Sequence, residues 1–149
     1  MTSESVARVQ ASHEQVAQDA RALSSRFYEE LFHAAPALRS LFPQDLTSLQ
    51  GHFEAALALV IRNLHEIGAL EQSLRDLGAQ HVGWGARPAD YLVARDALVA
   101  AIRSRATEWS EPLETDWRRA ITALVVPMLQ GAAVETAVAA ERLAAELDG

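Results

Sequence analysis

The chain has 149 residues, half of them apolar, with 7 Gly, 5 Pro and no Cys, which fits one domain over 1–149 with a core of ordinary size. The missing thiol excludes disulfides, thiolate nucleophiles, iron–sulfur clusters and Cys-based zinc sites. The net charge is −7 and all 13 basic residues are Arg, an acidic balance that repels phosphate backbones, so nucleic acid is not an expected partner.

The first ten residues, MTSESVARVQ, hold no apolar segment behind a basic one, so no secretory signal is expected and the expected address is cytoplasmic. Residues 4–18 read as a weakly amphipathic first helix. Over 19–34, Ala20, Leu23, Phe27, Leu31 and Ala34 recur every three or four places, one face of a helix. Pro36 should end it, since the residue before a proline disfavours helix, and a short turn over Ala37–Phe42 runs to Pro43. Thr47-Ser48-Leu49-Gln50 has the form of a capping box. It opens a periodic helix with Leu46, Leu49, Phe53, Leu57, Val60, Ile61 and Leu64, closed at Gly68.

The next helix carries Leu70, Leu74, Leu77 and His81 on one face and stops at Gly83 and Gly85. Pro88 suits a helix start, and Tyr91, Leu92, Leu98, Val99 and Ile102 follow. Ser110-Glu111-Pro112 caps the last helix, whose apolar face takes Leu113, Trp117, Ala120, Ile121, Leu124 and Met128. Pro127 should kink it. Residues 132–147 continue as an Ala/Glu helix with a frayed end. The count is six or seven helices and no strand, an all-α fold. The longest apolar runs, such as Ala55–Ile61, are short for a bilayer, so no membrane partner is expected.

The chemistry-bearing candidates are histidines. His13, His33 and His65 sit among polar or helix-end positions and read as surface. No pair has the spacing of a two-histidine zinc site. His81 continues the Leu70–Leu74–Leu77 stripe at +4, +7 and +11, so it points where leucines point, in the last turn before a Gly-rich loop. A neutral imidazole there can bind iron through one nitrogen while the other donates to a carbonyl or hydroxyl. A lone histidine on an apolar face suits haem, which brings four equatorial ligands of its own. The alternative is a core imidazole satisfied by a backbone carbonyl.

Phe27-Tyr28-Glu29-Glu30-Leu31-Phe32, followed by Leu38-Arg39-Ser40-Leu41-Phe42, resembles the second and third helices of bacterial globins and flavohaemoglobins. Leu77-Gly78-Ala79-Gln80-His81-Val82-Gly83-Trp84-Gly85, then Pro88 and Tyr91, resembles their ligand-bearing helix and the start of the next. Asn63, Leu64, Leu70 and Trp117 extend the likeness, which covers residues 20–130 or so. The resemblance implies an all-α globin fold of six to eight helices around a haem b pocket.

By that likeness, His81 is the iron ligand, Phe42 stacks on the haem, and Tyr28 donates its hydroxyl to a bound gas. Pro36 starts the short third helix. Tyr91 matches a tyrosine that flavohaemoglobins pair with a glutamate beside the ligand histidine. Here the glutamate position falls on Ala132, with Glu135 three residues on, so peroxidase-like activity is not expected. The distal position falls on Leu49, with Phe53 one turn later. Gln50 takes the polar role if the register shifts by one. His52 binds a haem propionate or swings in as a sixth ligand. Leu77 lines the pocket.

The function implied is reversible binding of dioxygen, NO or CO. A nitric oxide dioxygenase activity, forming nitrate, would need a separate reductase, since 149 residues leave no room for flavin or nicotinamide domains. Two other readings stay open. One is a gas or redox sensor, whose tail residues Val134, Val138, Leu143 and Leu147 pack on another chain. The other is a haem-free regulatory module. The expected state is monomer or homodimer.

Overall fold

A computed structural model describes residues 1–148. Six α-helices follow one another: α1 (Ser3–Val16), α2 (Ala20–Ala34), α3 (Thr47–Arg62), α4 (Glu71–Gly83), α5 (Pro88–Arg105) and α6 (Glu111–Asp148). Short 3₁₀ segments at Ala17–Asp19, Pro36–Leu41 and Leu64–Leu70 join them, and no strand occurs among the described residues.

Local chemistry sets most of these boundaries. The Thr2 hydroxyl accepts from the Ser5 amide at 3.0 Å and starts α1; the Asp19 carboxylate does the same for α2, accepting from the Ala22 amide at 2.9 Å. Pro88 opens α5 and the Asp90 carboxylate accepts from the Arg87 amide at 2.8 Å. Ser110 caps α6 through the Leu113 amide at 3.2 Å.

The capping box expected at Thr47–Gln50 does not form. Leu46 is the half-in residue, so Thr47 already lies in the first turn and its hydroxyl cannot reach the third amide. Asp45 caps instead, accepting from the Thr47 amide at 3.0 Å and from its hydroxyl at 2.7 Å, while Gln50 turns to α2. α3 also stops before Gly68: it ends at Arg62, where Asn63 leaves helical geometry at φ −110°. Pro127 does not end α6, which continues past it to Asp148.

The helices pack through their apolar stripes. α2 lies along α5, and α1 crosses α6 and α3. The closest pairing joins α4 to α6. A Cβ built on Gly78 would run into the Met128 carbonyl oxygen, and one on Gly131 into that of Arg75. The two backbones touch at reciprocal glycines, an approach no larger residue permits. α3 leans on α1 and α2 and has no extended contact with α4, α5 or α6. It is therefore held in place by α1 and α2.

α6 is about 57 Å long at 1.5 Å per residue. It supplies Trp117, Ile121, Val125 and Met128 to the core, and its burial ends at Ala132. Beyond that point Val134, Leu143 and Leu147 are exposed. One 18-residue window of α6 has a mean hydropathy of 1.5, long and apolar enough to cross a membrane by length and composition. That corrects the expectation of no such stretch; the core helix of a folded domain meets the same criterion. His13, expected on the surface, is half-buried with its ring 6.5 Å from Trp117, because the Trp117 indole donates to Ser12 at 3.0 Å and draws α1 onto α6. His33, His52 and His65 are exposed.

Candidate cofactor site

The candidate side chains form two walls on different elements, one on α4 and one on α2, α3 and the Pro36–Phe42 segment between them. The wall on the α4 side centres on His81. Its Nδ1 lies 2.7 Å from the Leu77 carbonyl oxygen, one turn back. A carbonyl can only accept, so Nδ1 carries the proton and Nε2 keeps its lone pair. Burial lowers the imidazole pKa, and the Leu77 hydrogen bond opposes that only in part, which favours the neutral, ligating form. Leu77 itself is half-buried.

The His81 ring meets Trp84 at 4.8 Å and Tyr91 at 6.2 Å between centroids. The Tyr91 hydroxyl is buried without a hydrogen-bond partner among the described residues. Ala132 is buried in the core. Glu135 is half-buried and enters no side-chain hydrogen bond or ion pair among the described residues. No carboxylate among them acts on the imidazole, whose Nδ1 is bonded to Leu77.

The wall on the α3 side is aromatic. Phe27 and Phe53 stack at 4.5 Å with 4° between their planes. Tyr28 sits edge-on to Phe42 at 5.7 Å and to Phe53 at 6.2 Å, and Phe32 packs on Phe42 at 5.2 Å. Such pairs add roughly 0.5–1.5 kcal/mol each beyond their buried area. Burial raises the Tyr28 pKa, with the Glu54 charge adding to it, so the phenol remains a protonated donor.

Phe42 is fixed by a residue to which the sequence assigns no role. The Arg39 guanidinium donates to the carbonyls of Phe42 (3.3 Å), Pro43 (2.9 Å) and Gln44 (2.9 Å) and lies 5.3 Å above the Phe32 ring. The signal that could have found it is its position between two prolines, in a turn whose carbonyls need donors.

Gln50 does not stand beside the aromatic wall as a free donor. Its amide donates to Ser25 at 2.8 Å and to Ser24 at 3.3 Å; Ser24 donates to Glu54 at 2.7 Å, and Arg21 pairs with Glu54 at 2.9 Å. This polar chain ties α3 to α2. Leu49 is half-buried, and His52 is exposed.

The donor set decides which group can fit. Among the described residues no group of three or more His, Asp or Glu could hold a metal ion. A metal that arrives inside a flat, apolar macrocycle needs only one protein nitrogen and two apolar walls. The free Nε2 of His81, the orphaned Tyr91 hydroxyl and the aromatic wall fit such a group.

Residues 25–128 match the globin family model. The leghemoglobin of Medicago sativa is 30% identical over 135 residues, which cover 83% of this chain and 92% of the plant protein. A rice protein named anaerobic nitrite reductase is 28% identical over 116 residues, covering 73% of this chain and 80% of its own. Among solved structures, an engineered carbene transferase superposes with a TM-score of 0.83; it was made from a Rhodothermus marinus protein named as a nitric oxide dioxygenase. It has 24% identity, and the match covers 94% of this chain and 99% of that one.

Proposed function

This chain belongs to the globin family, and from that premise we propose that it holds haem b between the α2–α3 aromatic wall and His81 and uses it to bind dioxygen, nitric oxide and carbon monoxide. Globins bind haem and, through it, diatomic gases. The observation that carries the reading for this site is the 2.7 Å hydrogen bond from His81 Nδ1 to the Leu77 carbonyl. It leaves Nε2 as the one nitrogen able to ligate and fixes the ring plane.

Bound haem would supply an iron able to take up a small gas. The rest of the work belongs to the chain. His81 would hold the iron through Nε2, and the half-buried Leu77 would help exclude water there. Phe42 offers a ring for stacking, pinned by Arg39. Leu49 and Phe53 keep the opposite side apolar. The Tyr28 phenol is the donor that can stabilise partial negative charge on a bound gas. With Gln50 committed to Ser24 and Ser25, Tyr28 acts without help from α3. His52, exposed at the start of α3, is available to a haem propionate.

A carboxylate hydrogen-bonded to the ligand histidine makes it more anionic and favours O–O cleavage. Here the partner is a peptide carbonyl, which supports gas binding over peroxidase chemistry. Consumption of nitric oxide, the activity for which the Rhodothermus protein is named, fits the same site when a separate reductase supplies electrons.

Oxygen dissociation from the haem-loaded protein tests the reading. Tyr28→Phe should raise the off-rate by roughly tenfold, the loss of one hydrogen bond of about 1.4 kcal/mol. An unchanged off-rate removes Tyr28 from the site. Absence of a Soret band after haemin is added to the purified protein overturns haem binding and returns the haem-free module.

A further inference from the structure

The most exposed aromatic side chain of the described residues lies against the candidate ligand. Trp109 is half-buried and Trp117 fully buried, but Trp84 is 57% exposed. Its backbone N–H donates to the His81 carbonyl at 3.1 Å, and its indole tilts over the imidazole at 4.8 Å. A single exposed apolar ring is common on a protein surface; this one is set apart by its contact with the candidate ligand.

The next residue supplies a second observation. Gly85 has φ +94°, a conformation that L side chains rarely adopt. A Cβ there would come within 3.0 Å of Leu41 Cδ2. Leu41, 43% exposed, precedes Phe42 at the opposite wall. The turn after α4 therefore carries one apolar side chain onto the imidazole and closes upon another beside the aromatic wall. It bridges two walls whose helices, α3 and α4, do not otherwise pack along each other.

We propose that Trp84 and Leu41 form an edge clamp for the haem, joined through Gly85, that keeps water from the iron–His81 bond and slows loss of the cofactor. The clamp rests on the reading of His81 as ligand given above. Trp84 covers the imidazole side and Leu41 the Phe42 side. An apolar shell around a metal site controls solvent access and with it the persistence of the metal–ligand bond. Trp84 is a positioning residue in this scheme, since it touches the imidazole and not the gas.

The test compares haem-loaded protein with Trp84→Ala, Trp84→Phe and Leu41→Ala. Haem transfer to excess apomyoglobin reads the off-rate, and thermal unfolding of each apoprotein reads the fold. Trp84→Ala should keep its Soret band yet lose haem roughly tenfold faster, the scale of one large apolar contact. Trp84→Phe should recover most of the difference, and Leu41→Ala should show a smaller acceleration. Apoprotein unfolding temperatures should shift little, because without haem Trp84 is mostly solvated and Leu41 is nearly half so. An unchanged off-rate in Trp84→Ala, or an apoprotein destabilised in proportion to the faster loss, overturns the clamp. A parent protein with no Soret band overturns the haem reading itself, so the two failures are distinct.

Discussion

The two walls of the site are built by opposite means. The α4 wall is backbone against backbone: Gly78 and Gly131 let α4 touch α6, and one peptide hydrogen bond aims His81. The α3 wall is side chain against side chain, five interlocked aromatic rings behind which Ser24, Gln50, Glu54 and Arg21 tie α3 to α2. Backbone contact has no slack, whereas ring stacks and hydroxyl bonds can adjust by rotation. On the proposed reading, the ligand is held on the stiff side and the gas-facing groups stand on the yielding one.

Substitutions can break that contrast, beginning with the stiff side. Gly78→Val should be the most damaging, because its side chain must displace the Met128 backbone; a loss of about 3 kcal/mol or more, or failure to fold, is expected by urea unfolding. A loss under about 1 kcal/mol would show that α4 can slide on α6. Phe53→Ala, on the yielding side, should cost about 2 kcal/mol, less than a fully buried ring because Phe53 is half-buried.

Acid should reach α6 from its other end. Burial pushes the Asp116 carboxyl up, but hydrogen bonds from Arg8 and Ser5 and the charges of Arg8 and Arg119 outweigh it and hold the pKa below the ordinary carboxylate value. A depressed folded-state pKa contributes stability above the unfolded-state value, lost as pH falls through the folded-state one. The unfolding free energy should therefore drop below about pH 4, where carboxylates ordinarily titrate, and Asp116→Asn should flatten that part of the profile. Tyr91→Phe should change least. Removing a hydroxyl that has no partner among the described residues should leave apoprotein stability level or raise it by up to about 1 kcal/mol.

Much of the fold was legible because its punctuation is local. Pro36, Pro88, Ser110 and Gly85 mark helix ends through their own chemistry, and a 3.6-residue stripe needs no partner to be seen. Thr47 failed as a cap because Asp45, two residues away, offered a stronger acceptor. The choice between Leu49 and Gln50 was not legible, since Ser24 and Ser25, on another helix, are what draw Gln50 away. His81 stood out by lying on a leucine stripe, while the bond that fixes its tautomer lies within its own helix. The roles of Trp84 and Arg39 were hidden because they depend on side chains and carbonyls that only folded turns bring together, which no spacing rule records.

His81 Nε2 is the proposed ligand, and cavity rescue tests that role most directly. Purified protein titrated with haemin should give a Soret band that saturates at one haem per chain; His81→Gly should lose it, and added imidazole should bring it back. If His81→Gly keeps the parent spectrum without imidazole, some other residue holds the iron and the account of the α4 wall is wrong.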